Sequence, residues 1–296
     1  MSFKTIEFHC NFEKIKTLGM KKILVPIDFS ETSDNAFVYA LEMAKRLKAE
    51  LVLLHTFELP IVDSQAMPIN YATIYNSIEL ANFEHFKQKM PKLHTIAEER
   101  NLNHIPMSHI MMDGDLLLSI KKVIAQENID MVVMGTHGAE GWWDSVIGTN
   151  TGSVIAGVSV PVLSVPAGAQ FQKIDTIAFT TRFRKKDIEA LIKVLFFAKR
   201  FHAKVKCLYV KTPNSDVTDE TIRRWQSHFE DETNLQFFVI PNEGVKETIE
   251  DFLVSQEIDM LAMLTYKRNF FVELFTTTTT QHLSYHLKTP ILAFHE

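Results

Sequence analysis

The chain has 296 residues, room for two domains of ordinary size, and its 46% hydrophobic and 23% charged content is that of a soluble globular protein. A net charge of −5 gives no electrostatic case for nucleic acid or an anionic membrane surface. Two cysteines, Cys10 and Cys207, carry no metal-ligand spacing and imply no disulfide framework, and no apolar run reaches transmembrane length.

Residues 1–19 mix charges with single aromatics and lack the apolar core of a signal peptide. They read as a leader, either an upstream-start extension or a disordered tail, and a cytoplasmic location is the default expectation. From Met20 onward, short apolar runs alternate with amphipathic stretches. Strands are predicted at 22–27, 51–56, 104–110, 131–134 and 162–165, and helices at 32–47, 76–99, 115–126 and 149–156. The strands are apolar runs rather than alternating ones, as expected when both faces of a sheet are covered. Pro26 disagrees with a central strand, but it lies near the carboxyl end, where the ladder can stop. Residues 59–75 contain two prolines and read as a long loop over the carboxyl edge of the sheet. His104 and His109 fall on the third predicted strand, on opposite faces.

The pattern then repeats. Residues 22–57 align without gaps on 176–211, and residues 129–165 on 258–294. The second copy is shorter in the connection after its second strand. Its strands are predicted at 176–181, 204–209, 235–239, 260–264 and 291–293, and its helices at 185–201, 218–232, 245–255 and 276–287. Strands alternating with helices imply parallel sheets with right-handed crossovers. The expected fold class is therefore α/β, with two tandem open parallel five-stranded sheets and helices on both faces. The expected domains are 20–168 and 171–296, after the leader 1–19. In each sheet the fifth strand should lie at an edge, opposite the third. An apolar edge needs a cover, and antiparallel pairing of the two fifth strands would provide one. The two domains are thus expected to pack as a pseudo-dimer. Further homodimerisation is left open.

In open α/β sheets, ligands bind beyond the carboxyl ends of the strands where the strand order reverses. Asp28 closes the first strand there, and Gly135 closes the fourth. Gly135, Gly138 and Gly148 then lead into a predicted helix that opens with Thr149 and Asn150. Glycines let backbone approach a ligand, and a helix start offers free N–H groups and a positive dipole end. This is chemistry for a phosphate chain. It is not a Walker A loop, because no Gly-Lys-Ser/Thr triplet occurs. His137 lies within the loop and is read mainly as a solvent-facing residue. Trp142 and Trp143 are read as loop anchors rather than a base-stacking pair. His282 and His286 have helical metal-ligand spacing but no cysteine or carboxylate beside them, so no metal site is assigned.

These residues carry a family resemblance. The spacing Gly-x2-Gly-x9-Gly-Ser/Thr is met by Gly135, Gly138, Gly148 and Thr149, and Val-Pro-x-Asp-x-Ser by Val25, Pro26, Asp28 and Ser30. The chain resembles the universal stress protein family, as a tandem member of adenine nucleotide alpha hydrolase-like fold with an ATP-binding motif in its first domain. The resemblance implies that Asp28 contacts adenine, that Leu54, His55 and Thr56 flank the base, and that ribose and triphosphate lie over residues 135–149. The implied ligand is ATP with Mg2+. The candidate binding residues are Pro26, Ile27, Asp28, Ser30, Leu54, His55, Thr56, Met134, Gly135, His137, Gly138, Gly148, Thr149 and Asn150. The implied function is stress-linked regulation, with an unidentified protein partner reading the nucleotide state.

The second copy has lost this equipment. Arg182 replaces Asp28, and Leu264, Lys267 and Thr277 replace the three glycines, while Thr278 keeps the hydroxyl of Thr149. Arg182, Arg184, Lys185 and Lys186 form a basic cluster, read as a solvated helix start rather than a second anion site. Two alternatives stand beside the regulator. A slow ATPase or nucleotide-transferring enzyme could use the same crevice, though no general base or cationic clamp is evident. An ATP pyrophosphatase loop, Ser-Gly-Gly-x-Asp-Ser, is absent, since the position reads Asp28-Phe29-Ser30-Glu31-Thr32. A nucleotide-free interaction module is the second alternative.

Overall fold

The apolar runs assemble into a single sheet. The computed structural model describes residues 20–59, 71–136, 149–265 and 288–295. Its first half comprises β1 (Lys22–Pro26), α1 (Glu31–Leu47), β2 (Glu50–Phe57), α2 (Tyr71–Glu99), β3 (Met107–Asp113), α3 (Leu116–Glu127), β4 (Met131–Thr136), α4 (Thr149–Gly157) and β5 (Val162–Pro166). Its second half comprises β6 (Thr176–Thr180), α5 (Lys185–Phe201), β7 (Lys204–Lys211), α6 (Asp219–His228), β8 (Leu235–Pro241), α7 (Val245–Ser255), β9 (Met260–Thr265) and β10 (Ile291–His295). The strand order is β3-β2-β1-β4-β5-β10-β9-β6-β7-β8. Each half is parallel, and the order reverses between β1 and β4 and again between β6 and β9. The two halves meet through antiparallel pairing of β5 with β10, in which Ile291, Leu292 and Ala293 oppose Ser164, Leu163 and Val162. The expected pairing of the fifth strands is thus present, and it turns two five-stranded sheets into one ten-stranded sheet.

Successive strand residues face opposite sides of a sheet. Ile23, Val25, Leu51, Leu53, Ile177, Phe179, Leu292 and Phe294 enter a core with α1, α2, α5 and α6. Leu24, Val52, Leu54, Ala178, Leu208, Ile291 and Ala293 enter the other, with α3, α4 and α7. Both cores run through both halves. Because most inner strands are covered on both faces, their sequences are largely apolar runs without alternation, β7 being the departure, with Lys206 part-exposed in its middle.

The repeat is visible in single hydrogen bonds. Asp130 Oδ2 accepts from the N–H groups of Lys21 (2.7 Å) and Lys22 (3.0 Å), tying the start of β4 to the start of β1. Asp259 Oδ2 does the same for Asp175 and Thr176, both at 2.8 Å, at β9 and β6. Helices α1 and α5 both end on a left-handed residue, Lys48 (φ 56°) and His202 (φ 58°).

Three elements differ from expectation by three residues or more at an end. β3 begins at Met107, so His104 lies in the turn before it and not on the strand. Pro106 has no N–H to give a ladder, and the N–H of Ile105 is already donated to Leu102 (3.1 Å). Residues 71–75, expected in the long loop, form the first turns of α2; they contain no proline or glycine to prevent it. Helix α6 stops at His228, short of the predicted 232, where the chain turns through Phe229 and Glu232 into β8. The leader 1–19, the segment 60–70, the glycine-rich segment 137–148 and the helix predicted at 276–287 lie outside the described residues. No described helix is long and apolar enough to cross a membrane.

Candidate functional site

The first reversal of strand order lies between β1 and β4, and the carboxyl ends of β1 to β4 open there into a crevice of about 480 Å³. β1 stops at Pro26, whose ring removes a ladder donor. The N–H of Ile27 still donates to the Leu54 carbonyl (2.8 Å), which holds the end of β1 against β2. Asp28 follows, exposed, and its Oδ1 accepts from the N–H of Ser30 (3.0 Å). Phe29 then takes a left-handed conformation, φ 62°, rare for a bulky residue. That turn is stabilised by packing of its ring on His55 and Phe86, with centroids at 5.4 and 5.9 Å. The turn delivers Ser30 as N-cap of α1, where its Oγ accepts from the N–H of Ser33 (3.2 Å).

The opposite wall is the end of β4. Gly135 approaches α1 so closely that a Cβ there would stand 2.6 Å from both Cγ2 and the carbonyl oxygen of Thr32. The glycine is therefore required for the helix to approach the strand. The expectation assigned that close approach to a ligand. Beyond the gap, α4 opens at Thr149, and Thr151 Oγ1 donates to the Gly135 carbonyl (3.1 Å), fixing the helix start against the strand end.

Pro26, Ile27, Asp28, Ser30, Thr56, Met134, Gly135 and Asn150, all expected from the sequence, line this crevice together. Leu54 and His55 do not line it. Leu54 is fully buried in the core under α3 and α4. The side chain of His55 points to the other face, where Nδ1 lies 2.8 Å from the Ile27 carbonyl and the ring stacks on Phe86. His137, Gly138 and Gly148 lie outside the described residues, and Thr149 is the first residue of α4. Sequence reasoning missed Thr32, Ser33, Phe57, Glu58, Gly114, Asp115, Leu116 and Thr151. A signal for two of them was present. Gly114 takes φ +103° after β3, and Asp115 N-caps α3 through its bond from the N–H of Leu118 (2.9 Å). A Gly-Asp pair closing a strand and opening a helix obeys the same carboxyl-end rule as Asp28.

The lining is polar but unevenly charged. Asp28, Glu58 and Asp115 are carboxylates, and Ser30, Thr32, Ser33, Thr56, Asn150 and Thr151 are neutral polar residues. No lysine, arginine or histidine lines it among the described residues.

The equivalent turn in the second half is closed by its own carboxylate. Asp187, at the position of Ser33, is fully buried. Its Oδ2 accepts from Thr181 Oγ1 (3.0 Å) and from the N–H groups of Arg182 (2.8 Å) and Arg184 (3.0 Å). Burial pushes its pKa up, against the pull of those three donors. Leu264, at the position of Gly135, is a buried core side chain. Arg184 of the basic cluster is paired through Nη2 with both oxygens of Asp216, at 2.8 and 2.9 Å. Phe183 keeps the left-handed turn, φ 56°, on an aromatic bed of Tyr209 and Trp225. The second half keeps this left-handed turn, and its own carboxylate takes up two of the turn's N–H groups.

Comparison with known proteins agrees with this geometry. A universal stress protein of Methanocaldococcus jannaschii is 32% identical over 155 residues, which span 49% of this chain and 94% of that protein. One from Bacillus subtilis is 26% identical over 145 residues, 49% of this chain and 97% of its own length. The crystal structure of a universal stress protein from Archaeoglobus fulgidus superposes with a TM-score of 0.70, covering 93% of this chain and 98% of that one, and at 17% identity it speaks to the fold alone. The model of the universal stress protein family matches residues 19–166, half of the chain and all of the crevice, and the chain belongs to that family.

Proposed function

We propose that the chain is a stress-linked regulatory protein that binds ATP, accompanied by a divalent cation such as Mg2+, in the crevice of its first half. The observation that carries this reading is the convergence of Asp28, Ser30, Gly135 and Asn150 on one crevice at the reversal of strand order. The volume suits a nucleotide-sized ligand, being within the usual range for small-molecule sites. The residues fit the group. Asp28 can accept from an amine or hydroxyl of the nucleoside. The first turn of α4, with Asn150 and Thr151, presents N–H groups and the positive dipole end to phosphate oxygens. The cation would come with the nucleotide, because the described residues contain no cluster of three metal-ligating side chains.

The same lining argues for binding rather than turnover. Phosphoryl transfer relies on cations aimed at the reacting phosphate and on a positioned base. Among the described lining residues there is no lysine, arginine or histidine. The second half, with Leu264 buried at the glycine position and Asp187 on the loop amides, is proposed as a silent copy that covers the edge of the first. The 20–168 and 171–296 units are proposed to act as an internal pseudo-dimer, with the nucleotide state read by a protein partner. Mass spectrometry of nucleotide carried through purification, with a steady-state turnover assay, tests the reading. Co-purified ATP with turnover well below about one per second supports a regulator. Turnover at or above that rate, abolished by Asp28→Ala, would make the protein an enzyme. Absence of any adenine nucleotide would favour a nucleotide-free interaction module.

A further inference from the structure

Two carboxylates line the crevice at the end away from the glycine-bearing strand. Glu58 follows β2 and Asp115 follows β3, while Gly135, Asn150 and Thr151 line it at β4 and α4. In the sheet order β3-β2-β1-β4 the β3 end that carries Asp115 is three strand spacings from β4 and the β2 end that carries Glu58 is two, about 14 and about 10 Å at about 4.8 Å per spacing. That is the span of an extended nucleoside polyphosphate. The N–H of Gly114 donates to the Phe57 carbonyl (2.9 Å), which ties the two carboxylate-bearing turns together. Asp115 is held in place as the N-cap of α3 by its bond from Leu118. The crevice is therefore electrically polar along its length. At one end the start of α4 presents its N–H groups, while at the other the start of α3 is already capped by the Asp115 carboxylate and Glu58 adds a second negative charge.

We infer that Glu58 and Asp115 are specificity residues that restrict this crevice to nucleotides with an unphosphorylated ribose. The inference rests on the proposed nucleotide reading and deepens it. A polyphosphate chain is repelled from the Glu58–Asp115 end and drawn to α4, so the nucleoside must face the carboxylates. Carboxylate oxygens accept hydrogen bonds from hydroxyls and amines. They repel a phosphate ester placed on the same ribose, which is the chemistry by which an acidic residue distinguishes a free 2′-hydroxyl from a 2′-phosphate in dinucleotide sites. No described lining residue is a cation that could offset the added phosphate. The accepted class is nucleoside 5′-phosphates. The rejected class includes 2′- and 3′-phosphorylated adenosine nucleotides and cofactors that carry such a group.

The test is titration calorimetry of the full chain with ATP, with 5′-AMP, and with adenosine 2′,5′- and 3′,5′-bisphosphate. Each bisphosphate differs from 5′-AMP by one phosphate. The expected result is that both bind about tenfold or more weakly than 5′-AMP at low ionic strength, with the gap narrowing as salt is added. The double variant Glu58→Gln, Asp115→Asn keeps the shapes, and asparagine remains a good N-cap. It should bring the ratio near unity by strengthening bisphosphate binding. Circular dichroism and a melting curve establish that the variant is folded. Equal affinity for 5′-AMP and the bisphosphates in the wild type, or an unchanged ratio in the folded variant, overturns the inference while leaving ATP binding intact. Failure of ATP itself to bind overturns the proposed function, and this inference with it.

Discussion

Gly135 and Thr32 touch where β4 meets the first turn of α1, so closely that the missing Cβ of Gly135 would lie 2.6 Å from the Thr32 backbone oxygen. The contact sets the width of the crevice, because α1 supplies Thr32 and Ser33 to one wall and Gly135 belongs to the other.

Gly135→Ala should therefore disturb stability and binding together. The neighbour is backbone, not the far end of a flexible side chain, so α1 must shift. Overpacking of this kind costs about 1–3 kcal/mol. Urea denaturation checks the loss, and nucleotide affinity should fall in the folded variant. Unchanged stability would contradict the close approach.

The joint between the halves makes a separate prediction. Leu163 and Leu292 oppose each other across β5 and β10, and both are fully buried. Leu292→Pro removes a ladder donor in the middle of a ten-stranded sheet and a buried leucine side chain from the core. A loss of about 3 kcal/mol or more is expected. Calorimetric melting should show both halves destabilised together. A first half melting as in the wild type would mean that the pairing contributes nothing to it.

Much of this was legible in the sequence because both halves build their inner strands from short apolar runs and the first half obeys the carboxyl-end rule. Leu163, Leu292 and the alternation of Ile23, Leu24 and Val25 between two cores follow from apolar runs of strand length. The role of Gly135 was harder. A glycine at a strand end signals close approach, but sequence does not say whether a ligand or Thr32 approaches. Leu54 and His55 were misplaced because residues beside a strand end need not face the crevice. α3 and α4 cover Leu54, and Phe29 and Phe86 hold His55 on the other side. Glu58 was missed because the end of β2 carries no glycine, and Asp115 because the single Gly114 before it is a weaker mark than the spaced glycines after β4.

Acid should weaken the fold through His109. This residue lies on the edge strand β3, with its ring 6.2 Å from Phe86 and 6.3 Å from His94. Desolvation by its neighbours first, then the nearby His94, lowers its pKa below the ordinary value of 6.5, although the residue is exposed at the sheet edge and the effect is correspondingly small. The unfolded chain takes up this proton as pH falls through about 6.5, while the folded chain resists until lower pH. The contribution is therefore present above that value and lost as pH falls below it. His228, held low by burial, acts with the same sign. Melting temperatures at about pH 7.5 and about pH 5.5 should differ less in His109→Gln than in the wild type. An equal drop in both would remove His109 from the account.

The most direct test of the central claim is the stoichiometry of ATP binding to the full chain by titration calorimetry. Asp28, Gly135 and Asn150 gather in the first half, while Arg182 and the buried Leu264 replace Asp28 and Gly135 in the second. The account predicts a value near one ATP per chain, and loss of binding in Gly148→Leu, which places a side chain in the glycine pattern. A value near two, or undiminished binding in Gly148→Leu, would contradict it.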